Sequence, residues 1–364
     1  YNAAIIAHEK MSAFAYISIL EAVGKLAIAF LIMWSPIDKL IYYAILMCTV
    51  AVIVRLTYGH YCKKHFVECT YHFHWDKDIL KQMFGFAGWN FIGASSVVLR
   101  DQGGNIILNI FFEPTVNAAR GIANQVNTAI TGFVQNFMTA LNPQITKSYA
   151  SGDKEYMMTL MFQGARLSFY MLLLLSLPVL IHTHYILVIW LKLVPAHAVL
   201  FVRLILIFAL CESISNPLIT AMLATGKIRN YQIVVGGLQL LNLPLSYLCL
   251  KLGSMPECIL IVAIIISLAC LFARLYMLRG MIGLSSISYM KNVFLNVLTV
   301  ALLSAILPCM LFYYMNETAL SFMTISLVAI LCTLIVEFYI GCNQKERTFV
   351  LNKIKAIKHK ISAK

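Results

Sequence analysis

The sequence predicts an all-α polytopic membrane protein with about ten transmembrane helices, and three observations carry that reading. Of its 364 residues 61% are hydrophobic and only 12% are charged, with a mean hydropathy of +0.82. Soluble domains run at about 45–50% apolar and about 25% charged. The apolar residues also come in runs of about 20, the length that crosses a bilayer as a helix. Finally, the runs lack the two-residue alternation of a barrel strand, and in lipid a helix satisfies its own backbone groups.

The first run, near 11–33, carries Ser18, Glu21 and Lys25 along one line, with Glu21 and Lys25 at the i,i+4 spacing of an ion pair. The second lies near 38–58 and is followed by "HYCKKHFVECTYHFHWDKD" (60–78). The order of His and Cys in that segment matches no standard zinc spacing, and its Tyr, Trp and His suit a membrane interface. Asp76 and Asp78 read as a helix start.

The third run, near 80–112, holds Asn90, Asp101, Asn105 and Asn109 within an arc of about 100°, with Arg100 to one side. Gly103 and Gly104 permit a close backbone approach or a bend. Arg100 and Asp101 are adjacent and so point about 100° apart, which argues against a bridge between them. In the fourth run, near 115–141, Asn117, Arg120, Asn124, Asn127, Thr128, Thr131 and Gln135 share an arc of about 100°. Ile122, Ile130, Phe133, Val134 and Phe137 are among those that fill the rest of the circumference.

The fifth run lies near 157–183. The sixth, near 197–224, groups Glu212, Asn216 and Thr220, and the seventh, near 230–250, groups Gln232, Gln239 and Ser246. The eighth to tenth, near 256–278, 289–315 and 318–341, are nearly bare of charge at their centres. The chain ends in "GCNQKERTFVLNKIKAIKHKISAK", read as a basic surface helix on anionic lipid headgroups.

The net charge of +13 belongs to topology and not to a nucleic-acid partner. Lys63, Lys64, Lys77, Lys147, Lys154, Lys227, Arg229, Arg279 and the tail all follow even-numbered runs, which places those gaps in the cytoplasm. The ten cysteines are scattered without a CxxC pair, so neither disulfides nor a redox motif are expected. No HExxH, GxSxG, Walker A or GxGxxG is present. The chain is therefore read as no enzyme, with no cofactor and no metal. One internal repeat stands out: "NPQITKSYASG" (142–152) and "NPLITAMLATG" (216–226), each at the cytoplasmic end of an even run.

Polar groups that face lipid cost several kcal/mol each, so the two stripes must meet protein or enclose water. Interhelical hydrogen bonds account for some of the Asn, Gln, Ser and Thr residues. They account less well for Arg100 and Arg120, because an intramembrane arginine is expensive and usually lines a pathway or meets a partner. The favoured expectation is a shared polar cavity.

The run "FGFAGWNFIGASSVVLRDQGGNIILNIFFEPTVNAARGIANQVNTAITGFVQNFMTALNPQITKSYASGD" resembles the Wzx-type polysaccharide flippases of the MOP exporter superfamily. "YNAAIIAHEKMSAFAYISILEAVGKL" is similar to the join between their fourth and fifth helices, and "NPLITAMLATGKIRNYQ" to their tenth-to-eleventh join. The resemblance implies MOP/MATE-like helical bundles in which this chain supplies helices five to fourteen and lacks the first four. It divides the chain into a remnant of an N-terminal bundle (1–79), a six-helix bundle (80–283), an additional helix pair (284–341) and the tail (342–364).

The resemblance further implies a bacterial inner-membrane transporter of O-antigen or capsule repeat units. It would carry an undecaprenyl-pyrophosphate-linked oligosaccharide to the periplasmic leaflet by alternating access, with membrane lipids and the polysaccharide polymerase machinery as partners. On helical phase and residue type, Arg100 and Arg120 are the candidates for the pyrophosphate, with Lys25 a weaker one. Asn90, Asn105, Asn109, Asn117, Asn124 and Asn127 would line the sugar path, beside Asp101. The rival within the superfamily is a MATE-type cation-coupled multidrug antiporter using Asp101, Glu21 and Glu212. A membrane glycan polymerase or acyltransferase is disfavoured by the shortness of the odd-side gap around His184 and His197.

Overall fold

The computed structural model describes residues 1–35, 38–69, 76–316, 318–344, 346–348 and 351–352. These residues form helices and connecting turns, with no strand among them. The short α1 (Asn2–Ala7) leads into α2 (Met11–Leu31) and α3 (Lys39–His65). Then come α4 (Lys77–Phe111), α5 (Pro114–Ala150), α6 (Lys154–Ile181), the short α7 (Thr183–Leu191) and α8 (Ala198–Ala224). Four further rods follow: α9 (Arg229–Lys251), α10 (Cys258–Ile282), α11 (Ser286–Tyr314) and α12 (Ala319–Gly341). Part of the gap expected around His184 is taken up by α7.

Polar residues set the helix starts, because a side-chain oxygen can accept from backbone N–H groups that have no partner in the first turn. Asp38 accepts from the N–H groups of Leu40 and Ile41, at 2.8 and 3.3 Å. Asp76 does the same for Asp78 and Ile79, as the sequence predicts, and Asp153 caps α6 through Tyr156. Pro114 sits in the first turn of α5, where its missing N–H costs nothing. Thr318 and Ser321 form a reciprocal capping box at the start of α12.

Eight of the long helices are apolar enough to cross a membrane by length and composition. The exceptions are α4 and α5, with 35 and 37 residues. At 1.5 Å per residue both exceed a hydrocarbon core of about 30 Å, so length does not disqualify them. Their polar stripes do.

The chain divides into two compact units, Tyr1–Leu80 and Lys81–Lys364. In the first, Ile5, Ala13, Ile17, Cys62 and Phe66 form a small core between α1, α2 and the end of α3. His8 stacks on Phe66 with ring centroids 4.3 Å apart and pairs with Glu68, which holds that carboxyl below the usual carboxylate range.

In the second unit α5, α6 and α8 pack together, and α10 lies against α8. Lipid is as apolar as leucine, so close packing rather than water exclusion holds such helices. Ala119, Ala123, Ala165, Ala198 and Ala221 accordingly lie at 0% exposure. The α11–α12 hairpin docks on α6, where Tyr170 donates to Asn296, and beyond α12 Glu346 pairs with Arg166 of α6 at 2.5 Å. Single π-turns interrupt α9 at Gln232–Gly236 and α11 at Met290–Phe294, and one ends α12 at Glu337–Gly341.

The two repeat motifs meet. Thr220 Oγ1 donates to Asn142 Oδ1 at 2.7 Å, which joins α5 to α8 at their C-terminal ends. Both helices run on through Pro143 and Pro217. The repeat's final glycines, Gly152 and Gly226, take φ of +79° and +70°, and this left-handed turn ends each helix. The remaining features named from the sequence, the histidines at 72 and 74 and the tail from 353 onward, lie outside the described residues.

Candidate functional site

The second unit holds a cavity of about 340 Å³ where the late part of α4 faces the early parts of α5, α8 and α10. Six of the ten candidate positions line it: Arg100, Asp101, Asn105, Arg120, Asn124 and Asn127. Gln102, Thr128 and Asn242 add polar edges, while Ile205, Phe208, Ile259 and Leu260 form an apolar wall. Two guanidiniums against one carboxylate leave the lining with one net positive charge.

Arg120 is the pivotal side chain. It is 5% exposed, and its Nη2 donates to the carbonyl of Asp101 at 3.3 Å. Its Nε and Nη1 are buried with no hydrogen-bond partner among the described residues. Each unsatisfied buried donor costs about 1–3 kcal/mol, more when charged, so these groups call for water or an anionic ligand. The guanidinium reaches this place because Gly104 has no side chain: a Cβ there would overlap it. The expectation of a close approach at the glycine pair is met at Gly104 by Arg120 and at Gly103 by Leu243.

Arg100 corrects one expectation. It does bridge to its neighbour, Nε to Asp101 Oδ1 at 2.9 Å. Cβ directions about 100° apart do not prevent the bridge, because the long arginine side chain folds back along the helix. Its guanidinium also lies over the Phe208 ring, 5.0 Å from the centroid.

Residues 2–149 match the family model described as "Polysaccharide biosynthesis protein". This segment belongs to that family, the family of the Wzx-type flippases. No curated protein and no solved structure matches the chain. The match spans α1 to α5, hence both polar stripes, while the α8, α9 and α10 walls of the cavity lie beyond it. With eight helices among the described residues apolar enough to span, this is a multi-pass membrane protein whose residues 2–149 resemble a polysaccharide biosynthesis family.

The other predicted positions lie elsewhere. Lys25 belongs to the first unit, where it pairs with Glu21 at 2.6 Å and lines a separate cavity with Arg55 and Tyr58. Asn90 lines a second cavity of the Lys81–Lys364 unit, where its Oδ1 accepts from Gln232 Nε2 at 3.5 Å. Asn109 and Asn117 line neither of these two cavities. The reason is depth. Asn90 and Asn109 share a helix face but are separated by about 28 Å along the axis at 1.5 Å per residue.

Sequence reasoning also missed Arg274. It sits in α10, among the runs read as nearly bare of charge, yet it is 1% exposed and its Nε and Nη1 have no hydrogen-bond partner among the described residues. Arg166 and Arg55 were passed over in the same way: each is a single charge in an apolar run, with no stripe to mark it.

Proposed function

We propose that this protein moves a polyprenyl-pyrophosphate-linked oligosaccharide, the undecaprenyl form in bacteria, from the cytoplasmic to the periplasmic leaflet of the inner membrane. The observation that carries the reading is Arg120, buried with two unpartnered N–H groups in a cavity shared with Arg100, on helices inside the family match. A diphosphate cannot cross hydrocarbon unaided, and charge-assisted hydrogen bonds from guanidinium can stand in for its water. Asn105, Asn124 and Asn127 offer amide donors and acceptors suited to sugar hydroxyls.

The cavity volume falls at the lower end of ligand pockets, about 300–1,000 Å³. It suits the pyrophosphate and the first sugar, with the prenyl tail left in lipid between helices. Movement follows alternating access, by analogy with the family. An inside-negative potential assists outward transfer of an anion by about 2.3 kcal/mol per charge per 100 mV. No covalent chemistry is involved, and the natural downstream partner is the polysaccharide polymerase machinery.

The multidrug-antiporter reading needs carboxylates available to a cation or proton. All three of its candidates already hold a donor: Asp101 binds Arg100, Glu21 binds Lys25 and Glu212 accepts from Ser267. Complementation separates the two. Arg100→Ala and Arg120→Ala should abolish surface polysaccharide at unchanged membrane levels and leave drug resistance unaltered. Full export by both variants would remove the pyrophosphate anchor.

A further inference from the structure

A second cavity, of about 200 Å³, lies in the same unit. It draws on the early part of α4 (Asn90, Gly93, Val97), the late part of α8 (Glu212, Leu223), the start of α9 (Gln232, Gln239) and the late part of α10 (Arg274). The first cavity takes the opposite portions of α4, α8 and α10. The two therefore stack along the bundle, and Arg100 lines both. The lysine and arginine bias places the α4 start, and so the second cavity, toward the cytoplasm.

The second cavity is built like the first. Arg274 takes the part of Arg120: a guanidinium at 1% exposure whose Nε and Nη1 have no hydrogen-bond partner among the described residues. Tyr231 and Glu212 line the cavity, where Tyr231 hydrogen-bonds that guanidinium and Glu212 lies within electrostatic reach of it. Gln232 and Gln239, at 6% and 7% exposure, supply amides. The π-turn at Gln232–Gly236 adds one residue to that wall, a distortion frequent at functional sites. Glu212 keeps the local balance modest, since Arg100 and Arg274 against one carboxylate leave one net positive charge.

We propose that the Arg274 cavity is a second phosphate-binding station, which takes the lipid-borne diphosphate on the cytoplasmic side before Arg100 passes it to Arg120. This rests on the flippase reading above and adds to it a receiving site beyond the family match. The three guanidiniums then offer the headgroup successive partners at three depths, so no step leaves it without a cation.

The test is equilibrium binding of inorganic pyrophosphate, and separately of farnesyl diphosphate, to the purified full chain in detergent. Arg120→Gln should retain a binding site, and adding Arg274→Gln should weaken that remaining site at least tenfold for both probes. Glu212→Gln keeps a hydrogen-bonding partner for Ser267 and removes a negative charge, so it should tighten binding several-fold, a gain that misfolding cannot produce. If Arg120→Gln alone abolishes binding, and Arg274→Gln and Glu212→Gln leave the wild-type affinity unchanged, the second station is overturned while the Arg120 anchor stands. If Arg274 matters and Arg100 and Arg120 do not, the anchor of the proposed function fails instead. Binding of inorganic pyrophosphate without the prenyl form would overturn the lipid headgroup as its source.

Discussion

The pair α4–α5 and the single helix α10 carry buried arginine in opposite ways. In α4 and α5 the charges sit in long polar stripes, so marked that neither helix is apolar enough to be recognised as a span. By contrast, α10 is the most apolar of the eight helices that are. Even so, Arg274 lies at its buried face with two donors unpaired, as Arg120 does in α5. A stripe declares itself because many residues share one phase. An isolated arginine is invisible to periodicity, and only the packing of α8, α9 and α10 shows that it meets a cavity.

The largest effect that would sharpen this contrast comes from closing the approach of α4 to α5. Gly104→Ala places a Cβ against the Arg120 guanidinium. Overpacking costs about 1–3 kcal/mol where neighbours cannot move. The guanidinium is the tip of a flexible side chain, so it is the part that gives way. Surface polysaccharide should fall sharply at near-normal protein level in a complementation assay. Wild-type export would show that the exact seat of Arg120 does not matter, and the contrast with α10 would lose its functional meaning.

A smaller effect separates structural polar groups from the cavity ones. Thr220→Val removes the bond to Asn142 that joins the two repeat motifs. Interhelical hydrogen bonds in membranes average about 0.6 kcal/mol, up to about 1.7. Thermal unfolding in detergent should shift down by a few degrees, with export unchanged, and Asn142→Ala added to Thr220→Val should cost little more. Lost export at intact stability would instead make the repeat part of the transport path.

Much of this was legible in the sequence. Long helices lie where the ten runs predicted them, and among the described residues eight of these are apolar enough to span, because run length sets helix length while composition decides what lipid accepts. The stripe residues Asp101, Asn105, Arg120, Asn124 and Asn127 share one cavity because helical phase fixes direction. Phase does not fix depth, which is why Asn90 fell to the second cavity and Asn109 to neither. Nor does it fix where a long side chain ends, as the Arg100–Asp101 bridge shows. Arg274 needed the fold itself.

The central claim is a wet chamber with a positive potential around Arg120, and thiol chemistry measures that potential directly. In a background with the ten native cysteines replaced, Asn124→Cys would be reacted with negatively and positively charged methanethiosulfonates of similar size. The account predicts that the anionic reagent gains roughly tenfold in relative rate over its value with a free thiol, as a cleft of one sign focuses counter-ions, and that Arg120→Gln erases the gain. An unreactive thiol, or one that favours the cationic reagent, would contradict it.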